Sequence, residues 1–347
     1  MFLFELEDGM VIGEDLLTSS GIMILPAGVV VTQPIREHLE SLGVDCVTID
    51  PERKPETYEQ HVNDEHFKVF NKEYVEAKNR LNDTFDRILD KNISKEDVSN
   101  MIDESWKMIN KGYNTYNVMN MLYAMHDFSD STYMHCMNVG MIAALLGKWL
   151  GWSEEDQRVL NACGMFHDIG KLVTPKSVLD KPGKLTSEEY EIMKLHTVKG
   201  YELLKDMDID PRIINATIMH HERVDGSGYP LKIKGDKIDR FSKVIAIADV
   251  YEAMTANRVY RGPMCPFDVI AQFEATGFGI YETKYLVVFL QNIVDTYLHS
   301  KVELSDGEHA EVVLINRQQG SRPIVLTTTG RSVDLSRETN IKISNVF

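Results

Sequence analysis

Hydrophobic positions recur at helical spacing in the first third of the chain. One stripe advances by alternating steps of three and four residues, which predicts an amphipathic helix with a short heptad seam. Ser94, with Asp97 three residues later, predicts the N-cap of a following helix. The stripe consists of Phe67, Phe70, Tyr74, Ala77, Leu81, Thr84 and Ile88. Such a face usually packs on the protein's own core, and a dimer seam is the alternative.

Near the amino terminus the pattern is mixed. Short apolar runs at 22–25 and 29–31 lie on either side of a Pro-Ala-Gly turn and predict two strands. Residues 34–42 predict a helix that ends at Gly43, and residues 44–49 predict another strand. This part of the chain therefore reads as a small separate unit.

From Val302 onwards, the helical pattern gives way to strands, with short apolar runs at 312–315, 324–326 and 341–343 that are separated by Gly, Asn and Pro. We predict a mainly α protein. Its parts are a small α+β N-terminal unit (1–52), a helical linker whose alternative role is a dimerisation seam (53–127), an all-helical domain (128–300) and a small β-rich C-terminal tail (301–347).

The composition of the chain narrows the range of possible functions. With 43% hydrophobic and 26% charged residues the chain is an ordinary globular protein, and its net charge of -16 argues against binding a nucleic-acid polymer. The four cysteines form no CxxC pair, which favours a reducing compartment and a cytoplasmic location. The sequence shows no signal-peptide pattern and no apolar run of about 18 residues, so we expect no membrane span.

The candidate chemistry lies in a set of histidines and aspartates. Imidazole and carboxylate ligands suit Fe, Mn, Zn or Ni, and two divalent ions about 3.5–4 Å apart can drive phosphoryl displacement. Asp168 has two oxygens and can bridge two ions, and Gly170 fits a helix terminus beside it. The set consists of His135, His167, Asp168, His196, His220, His221 and Asp249. It predicts a metal-dependent phosphohydrolase.

Two motifs extend this prediction. The segment His167-Asp168-Ile169-Gly170-Lys171 and the segment 220–230, which ends in Gly228-Tyr229-Pro230, closely resemble the HD-GYP phosphodiesterases, a branch of the HD superfamily. Asp249 with 258–261 resembles the closing motif of that family. The resemblance covers roughly residues 128–295 and implies an all-helical HD-type catalytic domain.

The resemblance also implies a metal centre. The first ion would be held by His135, His167, Asp168 and Asp249, and the second by Asp168, His196, His220 and His221. The ions would be Fe or Mn, with Zn or Ni as alternatives, and a hydroxide bridging them would be the nucleophile. Members with a third metal carry a Glu where this chain has Ser131, which implies two ions.

The same resemblance assigns substrate contacts to Lys171, Arg258 and Arg261, with Lys171 also catalytic beside Asp168. A solvated face is the alternative for these cations. Gly228, Tyr229 and Pro230 would line the substrate site or contact a diguanylate-cyclase (GGDEF) partner, with an ordinary packed turn as the alternative.

The implied reaction is hydrolysis of cyclic di-GMP to linear pGpG, and onward to GMP. The alternatives are another cyclic dinucleotide such as 3′,3′-cyclic GMP-AMP, or a sensor that does not hydrolyse its ligand. Cys163, one helical turn before His167, is expected to fill the core.

Overall fold

The computed structural model describes the chain except at 8, 15, 18–22, 26–30, 32–34, 37–38, 41–42, 51–64, 111–118, 120–131, 257–261 and 347, and leaves the side chains of 17, 23–25 and 65–68 undescribed as well. The described residues are mainly helical, with a small antiparallel sheet near the carboxyl terminus. They form two compact units: Met1–Glu65 with Tyr297–Phe347, and His66–Thr296.

The larger unit is helical. Its helices are α1 (Glu65–Leu89), α2 (Lys95–Ile109), α3 (Thr132–Trp149), α4 (Glu154–Phe166), α5 (Lys176–Leu179), α6 (Ser187–Lys194), α7 (His196–Leu204), α8 (Pro211–Met219), α9 (Arg240–Thr255), α10 (Pro266–Gln272) and α11 (Thr283–Ile293). Short turns of 3-10 helix lie at Ile169–Val173, Gly235–Lys237 and Val294–Tyr297, and a π turn lies at Phe273–Gly277. Within the described residues, no helix is both long and apolar enough to cross a membrane.

Helices α3, α4 and α9 form the centre of this unit. Every residue of α3 from Met134 to Gly147 is buried, which is typical of a helix surrounded by protein on all sides. Two glycines allow α3 and α4 to approach closely, because a Cβ on Gly164 would lie 2.4 Å from the backbone nitrogen of Gly140. The central helices are thus closely packed, and the side chains between them are buried.

The predicted heptad stripe lies on α1 and is buried inside the chain. Phe70, Tyr74 and Leu81 have no exposed surface, so they are not available to a second copy. Phe85, on the same helix, packs its ring 5.4 Å from that of Phe166 in α4. This face therefore covers the protein's own core, which is the usual interpretation of such a stripe, and a dimer stays a prediction. The side chain of Phe67 lies outside the described residues.

The second helix before the motifs begins as predicted. Ser94 is the N-cap of α2, and its side chain accepts a hydrogen bond from the backbone N–H of Asp97. The Asp97 carboxylate accepts one from the backbone N–H of Ser94 in return, which completes a capping box. Both α1 and α2 belong to the same unit as the residues that carry the motifs.

The amino-terminal residues form a two-stranded antiparallel sheet, β1 (Leu16–Leu17) and β2 (Met23–Leu25). The described part of the predicted helix is helical, and Ile35 and Leu39 are buried. Gly43 ends it with a φ of 70°, as a helix-terminating glycine does. The strand expected at 44–49 is reduced to isolated bridges, and most of the strand expected at 29–31 lies outside the described residues.

The carboxyl-terminal sheet has five antiparallel strands in the order β6-β5-β4-β3-β7. Its strands are β3 (Lys301–Leu304), β4 (His309–Leu314), β5 (Ile324–Thr327), β6 (Ser332–Asp334) and β7 (Ile343–Val346). Two of the three predicted runs correspond to β4 and β5, and the third only touches the start of β7. The prediction missed β3, in which buried Val302 and Leu304 alternate with Lys301 and Glu303, because it relied on continuous apolar runs.

Candidate metal centre

The structure brings all seven predicted ligands together in the helical unit. His135 lies in α3 and Asp249 in α9, while the others stand at helix ends: His167-Asp168 after α4, His196 at the start of α7, and His220-His221 after α8. Their ligand atoms form two groups, each with all atoms within 4.8 Å of one another. One group is Asp168, His196, His220 and His221, and the other is His135, His167 and Asp249.

The carboxylate of Asp168 lies between the two groups. Its Oδ2 atom is 3.3 Å from Nε2 of His135 and 3.2 Å from Nε2 of His167. Its Oδ1 atom is 3.1 Å from Nε2 of His196 and 3.8 Å from Nε2 of His220. One oxygen therefore faces each group, which is the arrangement that a bridging ligand requires.

Asp249 also reaches both groups. Its Oδ1 atom is 3.2 Å from Nε2 of His135 and 3.8 Å from Nε2 of His167. Its Oδ2 atom is 3.7 Å from Nδ1 of His221. The sequence had placed Asp249 with the first group alone, and the structure adds a contact to the second.

The outer ring nitrogens of the buried histidines are held in place. Because a carbonyl oxygen only accepts, each bonded Nδ1 must donate, which leaves Nε2 as a lone-pair donor towards the cluster. Such hydrogen bonds fix ring orientation in metal sites. Nδ1 of His167 donates to the carbonyl oxygen of Gly164 at 2.6 Å, and Nδ1 of His196 donates to that of Met193 at 2.7 Å. Nδ1 of His220 lies 3.1 Å from the carbonyl oxygens of both Ala216 and Thr217. His135 differs, because its Nδ1 bonds to the carboxylate of Glu252.

The pKa values of the histidines differ between the two groups of ligands. Burial disfavours a charged His135, but Glu252, Asp168 and Asp249 outweigh it and raise the pKa of His135 to about 10. Burial, with the neighbouring histidines, lowers the pKa of His221 to about 3 and holds that of His220 well below its usual value.

The carboxylates stay ionised. Burial opposes the charge on Asp168, but His167 and Lys171 hold its pKa well below the usual value. Burial likewise opposes the charge on Asp249, but the neighbouring imidazoles of His135 and His167 hold its pKa well below the usual value. The buried cluster thus combines two negative charges with imidazole lone pairs, the donor set that divalent transition metals prefer.

Two buried atoms in the cluster lack a hydrogen-bond partner among the residues that the structure describes: Nε2 of His167 and Oδ1 of Asp168. A buried polar atom without a partner costs about 1–3 kcal/mol, so native proteins rarely leave one unsatisfied. Both atoms point into the cluster, one into each half. The residues present therefore fit a metal site, because a cation bound in each half would satisfy the unpartnered atom there.

Lys171 lies in the 3-10 turn that follows Asp168. Its ammonium group pairs with Oδ2 of Asp168, and its side chain is 23% exposed. The cation thus stands at the edge of the cluster, with one side towards solvent.

The Gly-Tyr-Pro loop is pressed against the histidine pair. A Cβ on Gly228 would lie 2.4 Å from the carbonyl oxygen of His221, so only glycine fits there. The backbone N–H of Tyr229 donates to that same oxygen, and its ring lies 4.7 Å from the His221 ring. The Tyr229–Pro230 peptide bond is cis. Tyr229 is thus packed beside a ligand and still partly exposed.

Some contributing residues had no sequence signal. The buried carboxylate of Glu222 accepts hydrogen bonds from the backbone N–H groups of Leu231, Lys232 and Ile233, and so ties the end of the loop to the histidine pair. Tyr190 and Lys194 of α6 stand beside Tyr229. Glu252, one turn after Asp249 on α9, could have been found from that spacing.

The remaining residues that the sequence singled out have different outcomes. Arg258, Arg261 and Ser131 lie outside the described residues, so their expected roles stay predictions. Cys163 is fully buried and burial raises the pKa of its thiol, in keeping with a core position. Gly170 does not end a helix as expected. It lies in the 3-10 turn, and a Cβ there would stand 1.9 Å from the carbonyl oxygen of His196.

Comparison with known proteins agrees with this site. Residues 115–275 match the family described as HD domain. A cyclic di-GMP phosphodiesterase of Thermotoga maritima is 34% identical over 191 residues, covering 54% of this chain and 51% of that protein. A 3′3′-cGAMP-specific phosphodiesterase of Vibrio cholerae is 42% identical over 136 residues, covering 39% of this chain and 32% of that protein.

A solved structure of an HDG"Y"P protein from Bdellovibrio bacteriovorus shares the fold, with a TM-score of 0.55 at 14% identity, covering 84% of this chain and 98% of that one. The chain spans about a third to a half of the length of the two curated relatives described above. The match to the HD domain covers all seven candidate metal ligands, which lie in the helical unit.

Proposed function

We propose that the chain is a metal-dependent phosphodiesterase that hydrolyses cyclic di-GMP to linear pGpG, and then to GMP. The observation that carries this proposal is the position of Asp168, whose two oxygens face two separate groups of ligands. Two divalent ions held there would activate a water and stabilise the charge on the attacking and leaving oxygens of the phosphodiester.

We assign the ligands to the two ions in the way that the resemblance implies. His135, His167, Asp168 and Asp249 would hold one ion, and Asp168, His196, His220 and His221 the other. Fe or Mn is proposed, with Zn or Ni as alternatives, because nitrogen and oxygen donors of this kind accept all four. The burial of the site excludes bulk water, which strengthens each electrostatic contact to a phosphate.

The substrate assignment is supported by the cations and the loop. Lys171 sits at the exposed edge of the cluster, where its ammonium group can contact a phosphate oxygen beside Asp168. Tyr229 offers a partly exposed ring next to His221, suited to contact a base. Arg258 and Arg261 are proposed to contact the second phosphate of the cyclic dinucleotide. The Thermotoga relative, named for cyclic di-GMP, supports this substrate.

A second candidate substrate is 3′,3′-cyclic GMP-AMP, for which the Vibrio relative is named. It has the same two phosphates and ring size and differs in one base. The metal cluster cannot distinguish the two, so the discrimination must come from contacts to the bases.

Chromatography of products tests the proposal. Full-length protein loaded anaerobically with Mn²⁺ or Fe²⁺ should convert cyclic di-GMP to pGpG, and elemental analysis should give two metal ions per chain. Asp168→Ala should abolish turnover and deplete the metal, because one residue serves both ions. Asp236→Asn, on an exposed turn, is the control and should change neither.

The outcomes separate the candidates. Protein that holds two ions and binds cyclic di-GMP, yet releases no product, would be a sensor rather than an enzyme. Faster turnover of cyclic GMP-AMP would favour the second candidate. A stoichiometry near one or three would contradict the two-ion assignment.

We also propose that a diguanylate-cyclase (GGDEF) partner contacts the loop. Leu231 follows the Gly-Tyr-Pro segment and leaves 48% of its surface exposed, which suits a contact with an apolar residue of a partner. Leu231→Asp should weaken binding of a purified GGDEF domain without changing metal content. Unchanged binding would contradict the contact.

A further inference from the structure

A chain of buried hydrogen bonds runs from helix α1 to the metal-ligand cluster. The hydroxyl of Tyr74 donates to Oδ1 of Asn138 at 2.6 Å. Nδ2 of Asn138 donates to Oε1 of Glu252 at 3.1 Å, and Oε2 of Glu252 bonds to Nδ1 of His135. All four side chains are almost fully buried, so water does not compete with these bonds.

The direction of each hydrogen bond follows from the chemistry of the groups. An ionised carboxylate only accepts, so the amide nitrogen of Asn138 must face Glu252 and its oxygen must face Tyr74. The phenol hydroxyl must then donate to that oxygen. At the other end, Oε2 of the carboxylate accepts a hydrogen bond from Nδ1–H of His135. In the neutral imidazole the lone pair of His135 therefore lies on Nε2, which faces Asp168 and Asp249.

His135 is held differently from its neighbours. His167, His196 and His220 each donate Nδ1–H to a backbone carbonyl of the turn just before them, so their orientation is set locally. The Nδ1 of His135 is instead held by a side chain from another helix, which is itself held by residues of α3 and α1. A shift of α1 would therefore be transmitted to His135 through these hydrogen bonds.

We propose that Tyr74, Asn138 and Glu252 are positioning residues that fix the tautomer and angle of His135 for metal binding. This inference rests on the proposed metal centre and goes beyond it, because Tyr74 lies outside residues 115–275 that match the HD domain. The helix preceding the matched domain thus supplies a part of the metal site through two intermediates.

Metal binding by the full chain tests the proposal without any turnover. Mn²⁺ is titrated into metal-free protein and followed by electron paramagnetic resonance. Tyr74→Phe removes one hydroxyl and should weaken one of the two Mn²⁺ sites by about tenfold, leaving the other unchanged. Glu252→Gln should weaken the same site by up to about 100-fold, because it removes the charge that orients His135.

A second tyrosine provides the matched control. Tyr133 lies on α3, two residues before His135, and its ring packs against Phe85. Tyr133→Phe keeps that ring contact and should leave both Mn²⁺ affinities at the wild-type value. The absorption of Co²⁺-loaded protein gives a spectroscopic signature, and its bands should change in Tyr74→Phe but not in Tyr133→Phe.

A merely structural role for Tyr74 has a different outcome. It would lower the unfolding temperature equally in metal-free and Mn²⁺-loaded protein and leave both affinities unchanged, which would overturn the proposal. If the wild-type chain bound no Mn²⁺ at all, the metal centre itself would be wrong and the positioning role would fall with it.

Discussion

Gly170 and His196 approach each other so closely that a Cβ on the glycine would lie 1.9 Å from the carbonyl oxygen of the histidine. It would also lie 2.5 Å from the backbone nitrogen of Gly200 in the same helix. The 3-10 turn that follows Asp168 is therefore pressed directly on the start of α7. The contact joins the two segments that carry Asp168 and His196, whose Oδ1 and Nε2 atoms lie 3.1 Å apart.

Gly170→Ala should consequently damage both the fold and the cluster. Both neighbours are backbone atoms, so α7 must move to admit a methyl group, at a cost of about 1–3 kcal/mol or more. We expect a lower unfolding temperature and loss of metal from the group that contains His196. Thermal unfolding and elemental analysis measure the two effects. Gly262→Ala is the control, because no atom of the described residues lies within 4 Å of a Cβ there. A Gly170→Ala protein with wild-type metal content would contradict the role of the contact.

The seven ligands could be predicted from the sequence because their spacing resembles a known motif, and the structure brings them together in two groups. The structural role of Gly170 could not be predicted from the sequence. Its place between two ligands suggested a helix end, whereas its role is to admit the backbone of a helix that begins 26 residues later. Close approach across elements leaves no local pattern, since it depends on the tertiary fold.

Tyr74 illustrates the same limit in the core. Its stripe predicted a buried or paired face, and the burial was right for the residues described. Nothing in that stripe distinguishes a tyrosine whose hydroxyl bonds to Asn138 from one that only fills space. The partner lies 64 residues away and is reached through the fold alone.

The buried stripe of α1 leads to a prediction about stability. Leu81 is fully buried against the core, so Leu81→Ala should destabilise the protein by about 2–5 kcal/mol. Val75, on the same helix, is 41% exposed, and Val75→Ala should change the stability by less than about 0.5 kcal/mol. Urea unfolding measures both. A Leu81→Ala variant that keeps its stability but changes its mass in light scattering would support the interpretation of the stripe as a dimer seam.

Stability at low pH should depend on Asp210. This N-cap of α8 accepts hydrogen bonds from the side chain and backbone N–H of Arg212, which lower the pKa of its carboxyl. A lowered pKa contributes stability above the unfolded value of about 3.9, and the contribution is lost as the pH falls through the folded value. Asp210→Asn keeps a capping residue and removes the charge.

We expect Asp210→Asn to be less stable than the wild type by about 0.5–1 kcal/mol at pH 7, allowing for screening by solvent. The difference should hold down to about pH 5 and shrink below about pH 4. Urea unfolding across this range measures it. Asp208→Asn is the comparison, because Asp208 pairs with Lys95 at an exposed surface and should have little effect. A difference that grows on acidification would contradict the argument.

Substrate preference follows from the charges around the cluster. A cyclic dinucleotide presents two phosphates, one for the metals and one for cations away from them. Lys171 stands at the cluster edge, and the sequence adds Arg258 and Arg261, which together exceed what one scissile phosphate requires beside two divalent ions. Cyclic di-GMP should therefore be cleaved well above mononucleotide phosphoesters or bis(p-nitrophenyl) phosphate, which offer no second phosphate to bind.

The second cut should be slower than the first. Opening the ring frees torsions that pGpG must fix again on binding, at about 0.5–1.5 kcal/mol for each flexible group, so we expect a rate lower by about tenfold. Time-resolved chromatography of metal-loaded protein should show pGpG accumulating before GMP appears. Adding pGpG as the starting substrate separates a slow second cut from slow release of the first product. Equal rates for the two substrates would remove the entropic argument, since the rigid and the opened ligand would then bind productively with the same ease.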